Sequence, residues 1–159
     1  MKLGMALREL HRSETRLARS LDAIAARHHN DHGINHTAND LSRWSREHLD
    51  LLAETGSRYG VRLRAHPRTR AVTEPAQKWL SDRLGRRPEP SLALLVDLRR
   101  LHRLAAGVSV DWELLAQGAQ AVKDDDLLDL TKRCHPQALR QMRWANAMLK
   151  ELSPQALAN

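Results

Sequence analysis

The chain has 159 residues, with 26 Lys and Arg against 19 Asp and Glu, and its formal net charge is +7. Its length fits one domain that buries a core without cross-links, and the single cysteine, Cys134, excludes an internal disulfide and a Cys-rich zinc module. No run approaches the roughly 20 apolar residues that span a bilayer, and the charged first turns predict no signal peptide. We therefore expect one cytoplasmic domain, residues 1–159, without a membrane partner.

The composition favours helices. Hydrophobic residues make up 42% of the chain but aromatic ones only 3%, so burial depends on Leu, Ala, Val and Met. Leu and Ala are strong helix formers, whereas strands prefer β-branched and aromatic residues. A sheet protein is therefore disfavoured.

The first half of the chain contains two helical patterns. Apolar residues at alternating spacings of three and four predict helices over about 2–28 and about 34–59. The predicted inward positions of the first helix are Leu3, Leu7, Leu10, Glu14, Leu17, Leu21, Ile24 and His28. Those of the second are Ile34, Thr37, Leu41, Trp44, His48, Leu51 and Thr55. The short turn between them predicts an antiparallel hairpin over about 2–59.

The second half repeats this organisation over about 91–152. Ser91 is the expected N-cap of the third helix, which ends near Val122. The fourth starts at Asp125 or Asp126, and Ser153-Pro154 is expected to close it. Its predicted inward face includes Leu128, Thr131, His135, Ala138, Met142, Ala145, Leu149 and Leu152.

A basic, proline-rich segment, residues 60–90, joins the two hairpins. It holds four of the six prolines, and its eight Lys and Arg against three Asp and Glu supply five of the seven net positive charges. A helix of about 27 residues is roughly 40 Å long, which 31 residues can cross. The pattern thus favours an all-α antiparallel four-helix bundle of two hairpins with a long crossover; an up-down-up-down bundle with a large surface loop is the alternative.

Polar residues at apolar positions mark a candidate site. If the first turn centres near residues 31–32, opposed residue numbers sum to about 62–64, so Glu14 and His48 meet near mid-bundle. The same rule places His135 opposite Leu115, with Trp112 within a turn. These groups predict either a buried hydrogen-bonded pair that fixes helix register or part of a carboxylate–histidine site for a transition metal, Fe or Zn. The candidate ligands are Glu14, His48, His135 and His28.

In helix layout and length, over nearly the whole chain, the sequence resembles the ferritin-like superfamily. Its di-iron members place a Glu on each of two helices and a Glu-x-x-His on each of the others. Glu14 matches the first-helix ligand and His48 the second-helix histidine, but Ser45 and Lys132 stand three residues before His48 and His135. The resemblance thus implies a bundle from which most di-iron ligands are absent.

A second resemblance is to the DinB-like metal-binding bundles. Residues 44–49 (WSREHL) look like the second-helix histidine segment of those proteins, which places His48 as a ligand. Their later His-x-x-x-His pair is incomplete here, since Leu139 follows His135 at that spacing. Two alternatives to the site at Glu14 and His48 are considered. One is a metal bound by the turn histidines His28, His32 and His36, and the other is haem ligated by inward His and Met residues.

The basic segment also predicts contacts with nucleic acid or an acidic partner. Such contacts would be salt-dependent, although Trp79 alone is interleaved as a stacking residue. The residues concerned are Arg62, Arg64, Arg68, Arg70, Lys78, Arg86 and Arg87.

Three functions follow from the sequence. The first, which we favour, is a non-enzymatic binding or structural protein that acts through protein contacts, as a homo-oligomer or with another protein. The second is a metal-binding bundle with a reduced carboxylate and histidine site. The third is a basic nucleic-acid-binding bundle. No arrangement typical of a catalytic triad and no glycine-rich phosphate loop is found, so an enzyme is disfavoured.

Overall fold

A computed structural model describes residues 2–65 and 89–158. These residues form four long helices, α1 (Lys2–Arg27), α2 (His32–Arg58), α3 (Pro90–Val122) and α4 (Asp125–Ala158), and they contain no strand. The prediction of an all-α four-helix bundle is confirmed. Among the described residues, no helix is both long enough and apolar enough to cross a membrane.

Aspartate side chains cap the starts of α2 and α4. Asp31 accepts a hydrogen bond from the backbone N of Ile34 at 3.0 Å and caps α2, and Asp124 accepts one from Leu127 N at 2.9 Å at the start of α4. The predicted cap Ser91 is wrong, because α3 already begins at Pro90. Proline suits the first helical position, where its missing N–H has no partner to lose.

The end of α4 also differs from the prediction. Pro154 was expected to close the helix, but α4 continues to Ala158 with Pro136 and Pro154 inside it. A proline removes one hydrogen bond from the backbone ladder and its ring crowds the carbonyl four residues earlier, so the helix can resume beyond it at a cost in stability.

The core is aliphatic, as the composition predicts, and its largest fully buried side chain is that of Trp112. The inward face predicted for α1 is confirmed from Leu3 to Ile24, with Glu14 fully buried among leucines. Burying a leucine side chain contributes roughly 1.5–3 kcal/mol, so this stripe supplies much of the driving force.

The inward faces of α2 and α4 are rotated from the predicted ones. Ser45 and Leu52 are buried in α2, whereas Trp44 is only half-buried. In α4, Cys134 and Gln141 are buried, and His135 is half-buried. Trp44 and His135 were predicted to point inward, but the interior at these depths holds small or hydrogen-bonded side chains, such as Ser45 and Gln141.

Each helix packs on two neighbours. Helix α1 lies against α2 and α3, and α4 lies against α3 and, more lightly, against α2. Near one end of the bundle, a Cβ added to Gly118 of α3 would lie 2.6 Å from Leu3 of α1. Near the other end, His28 at the α1 terminus bonds Asp97 of α3 across 2.8 Å.

The described chain beyond α2 turns back along α1. Gly60 makes the turn with a φ of 68°, in the left-handed region. Val61 is buried beside Gly4 and Gly56, where an added Cβ would lie only 2.9 Å from a Val61 atom. Farther along α1, the His11 ring Nε2 donates to the Arg64 carbonyl over 2.7 Å.

Aspartates join helices at both ends of the bundle. Asp97 pairs with Arg27 and His28 at 2.8 Å each. At the other end, Asp124 accepts from Tyr59 and pairs with Arg58 at 3.4 Å, while Asp126 lies 3.5 Å from Arg58. We call this second group, Arg58, Tyr59, Asp124 and Asp126, the Asp124 cluster.

Candidate functional site

Glu14 and His48 meet inside the bundle, as the hairpin arithmetic predicts. The His48 ring donates from Nδ1 to Glu14 Oε1 over 2.7 Å, and both side chains are buried. The leucines on either side of Glu14 along the α1 seam exclude water from it. This contact confirms the predicted register between α1 and α2.

The other two helices each add one side chain to the pair. Trp112 of α3 donates its indole N–H to Glu14 Oε1 at 2.8 Å. His48 Nε2 donates to Gln137 Oε1 of α4 at 2.7 Å. The His48 and Trp112 rings meet edge to face, with centroids 5.5 Å apart. We call these four residues, one from each helix, the polar layer.

The polar layer holds a charged pair. Both His48 ring nitrogens face oxygen atoms, an arrangement that suits an imidazolium, which donates from both nitrogens. Burial lowers the pKa of His48, but hydrogen bonds with Cys134 and Glu14, together with the Glu14 charge, outweigh it and raise the pKa from 6.5 to about 10. At neutral pH a buried cation therefore lies against a buried carboxylate.

A second polar contact lies next to the layer. The Gln141 amide donates to the Leu41 carbonyl and to Ser45 Oγ, each at 2.9 Å, and so joins α4 to α2. Gln137, Cys134 and Gln141 were not among the predicted site residues. For Cys134 and Gln141 the available signal was spacing, since Cys134, Ala138, Gln141 and Ala145 repeat at three and four residues.

Buried oxygens without a partner remain beside these contacts and at the start of α3. Among the described residues, Glu14 Oε2, Ser91 Oγ and Gln141 Oε1 are buried without a hydrogen-bond partner. Leaving such an atom unpaired costs roughly 1–3 kcal/mol. In the polar layer, Glu14 Oε2 is therefore an acceptor for which the layer supplies no donor.

The donor set does not fit the metal centre implied by a ferritin-like or DinB-like resemblance. In the described part of the chain, no group of three or more His, Cys, Asp or Glu side chains is arranged to hold a metal ion. Both His48 nitrogens are engaged, and Glu14 supplies the layer's only carboxylate. Metal ligation needs an unprotonated imidazole nitrogen, and a di-iron site of the ferritin-like type needs four carboxylates.

The other two candidate ligands lie apart from the layer. His28 is engaged with Asp97 at the end of the bundle. His135 was expected opposite Leu115, but its Nε2 instead bonds Ser109 Oγ at 2.9 Å, and it lies at the edge of the interior. The turn histidines His32 and His36 are exposed.

The predicted basic surface lies mostly outside the described residues. Arg62 and Arg64 are described and exposed. The remaining candidates, Arg68, Arg70, Lys78, Arg86 and Arg87, fall outside residues 2–65 and 89–158, as does Trp79. Nucleic-acid binding therefore stays a prediction.

Comparison with protein-family models, with curated proteins and with solved structures gave no match. The geometry of the polar layer is therefore the main evidence for function.

Proposed function

We propose that this chain is a ferritin-like four-helix bundle with a non-enzymatic binding or structural role, in which an ionic hydrogen-bonded layer stands where related bundles hold a metal centre. Glu14 carries the proposal. It is the layer's only carboxylate, and it accepts from His48 and from Trp112 through the same oxygen.

The helix directions support the ferritin-like part of the proposal. Contacts between Leu3 and Gly118 and between His28 and Asp97 make α3 run opposite to α1. Helix α4 meets α2 in reverse order as well, since Gln141 bonds Leu41 while Asp124 pairs with Arg58. With α1 and α2 antiparallel, α2 and α3 then point the same way, and a chain joining them must travel the length of the bundle.

The path after α2 agrees with such a crossover. Val61 lies beside Gly4, and the Arg64 carbonyl lies beside His11, so the chain advances along α1 from its first turn toward its middle. A surface loop in an up-down-up-down bundle would return to the end that it left.

Metal analysis of untagged protein tests the proposal. We expect less than about a tenth of an equivalent of any transition metal after growth with added iron and zinc, because four-coordinate zinc and di-iron sites need more free donors than the layer offers. Ferrous iron added in air should oxidise no faster than in buffer.

The control variants are His48→Gln in the layer and His36→Gln on the surface, where His36 is 82% exposed. His48→Gln should lower the melting temperature and leave metal content unchanged, while His36→Gln should change neither. A stoichiometric metal that His48→Gln removes would overturn the proposal in favour of a reduced metal site.

A further inference from the structure

The outer face of α3 exposes three large apolar side chains. Val96, Val110 and Leu114 are 66%, 57% and 61% exposed. With Arg100, Arg103, Gly107, Gln117 and Ala121 they follow the three-and-four spacing that places residues on one stripe of a helix. The inner face of α3 carries the core residues Leu98, Ala105 and Trp112, so this helix carries apolar side chains on two sides.

Gly107 lies at the centre of this outer stripe. A Cβ added there would meet nothing within 4 Å, so its lack of a side chain is not required by packing within the chain. Glycine inside a helix costs about 1 kcal/mol relative to alanine. On an outer face, a glycine lets a second helix approach closely.

Beside the stripe, basic residues precede Gly107 and acidic residues follow it, so two copies of this face placed antiparallel would pair opposite charges. Arg99, Arg100 and Arg103 are exposed before Gly107 and make no ion pair within the described residues. Asp111 and Glu113 follow Gly107 in the chain, and Glu113 also accepts from Gln117 at 2.9 Å and lies 3.7 Å from His135. If two α3 helices cross antiparallel at Gly107, residue numbers at the same depth sum to about 214. Arg103 of one copy then faces Asp111 of the other, and Arg99 lies near Glu113.

We propose that this chain forms a two-fold symmetric homodimer in which the outer faces of two α3 helices pack antiparallel, with Gly107 at the symmetry axis. The same pairing places Leu92 of one copy level with Val122 of the other. A two-fold interface uses the same patch on both subunits, which this charge order satisfies. The proposal concerns the face of α3 opposite Trp112 and is independent of the proposed function.

Cysteine cross-linking tests the geometry directly. Because a residue on the two-fold axis meets its own copy, Gly107→Cys should form a disulfide-linked dimer under mild oxidation. The matched control is Gln120→Cys on the same helix, which is exposed but points away from the stripe. It should remain a monomer on a non-reducing gel, and native Cys134 is buried in both variants. Equal cross-linking of the two variants would overturn the proposal.

Sedimentation across a dilution series tests the energetics. The native chain should move between dimer and monomer, and Leu114→Glu should weaken the dimer at least about tenfold without changing its helical circular dichroism. Leu157→Glu alters a leucine near the end of α4 that is 72% exposed, slightly more than Leu114, and should leave the dimer intact. A native chain that is monomeric at every concentration would overturn the proposal.

A charge exchange separates this pairing from other dimers. Arg103→Asp and Asp111→Arg should each weaken association, because each places like charges opposite one another. The double variant should restore it to within about threefold of the native dimer, which is about half of one tenfold step in binding free energy. Failure of the double variant to recover would contradict the antiparallel register.

Discussion

The polar layer and the Asp124 cluster both join helices through charged side chains, but their surroundings differ. His48 and Glu14 are 1% and 0% exposed, and their contact is 2.7 Å long. Arg58 is 49% exposed, and its contacts with Asp124 and Asp126 are 3.4 and 3.5 Å long. Water screens the second set of charges and scarcely reaches the first. The effect of removing one charge should therefore differ severalfold between them.

The largest effect is expected from breaking the buried pair. His48→Leu leaves the Glu14 charge without its cation and should reduce the free energy of unfolding by about 3–5 kcal/mol. Replacing both partners, Glu14→Met with His48→Leu, removes the buried charge and should recover at least half of that loss. Urea denaturation of the two single variants and the double variant measures this, and simple additivity would contradict a buried ionic pair.

The second prediction concerns alkaline pH. The pKa of His48 is raised from 6.5 to about 10 in the folded chain, so its contribution is fully present below pH 6.5 and is lost as pH rises toward 10. The groups facing it are Glu14, Cys134, Trp112 and Gln137. Stability should fall between pH 7 and 10 in the native chain.

The control for this prediction is His48→Leu, whose stability should vary much less over the same pH range. Denaturation midpoints at several pH values provide the comparison. An equally steep alkaline loss in the variant would assign the effect to another group.

A smaller effect is expected from the indole donor. Trp112→Phe keeps most of the buried ring but removes the N–H that bonds Glu14 Oε1, and it should cost about 1–3 kcal/mol. Trp44→Phe is a matched control, since Trp44 is half-buried against the core. Thermal melts of both variants compare them, and equal losses would mean that the hydrogen bond contributes nothing measurable.

The smallest effect belongs to the Asp124 cluster. Arg58→Ala should cost less than about 1 kcal/mol, and less still in high salt. The hydrogen bond from Tyr59 is the main cause that lowers the pKa of Asp124. The contribution of Asp124 is thus present above its unfolded pKa and is lost as pH falls through the lowered one.

Asp124→Asn separates charge from capping, because asparagine also caps helices. Its loss relative to the native chain should shrink in acid, where Asp124 is protonated. If Asp124→Asn lowered the free energy of unfolding as much as His48→Leu, the contrast between the polar layer and the Asp124 cluster would be wrong.

The sequence predicts the elements of this fold better than it predicts their rotation. Leucine spacing alone gives α1 its inner face, and the sum of residue numbers across a short turn brings Glu14 to His48. Spacing alone fails for His135, because Cys134 and Gln141 lie on the inward face of α4. A buried glutamine differs from an exposed one only through its partners, here Leu41 and Ser45, which a linear pattern does not identify.

The tight turn at Lys123 affects the order in which the helices assemble. It occupies the left-handed region at φ 57°, and with Asp124 it forms the two-residue turn between α3 and α4. Contacts across so short a turn close quickly, whereas the Trp112–Glu14 bond joins residues 98 positions apart. We therefore expect the α3–α4 hairpin to form before the polar layer, so changes at Glu14 should mainly accelerate unfolding and leave the refolding rate nearly unchanged.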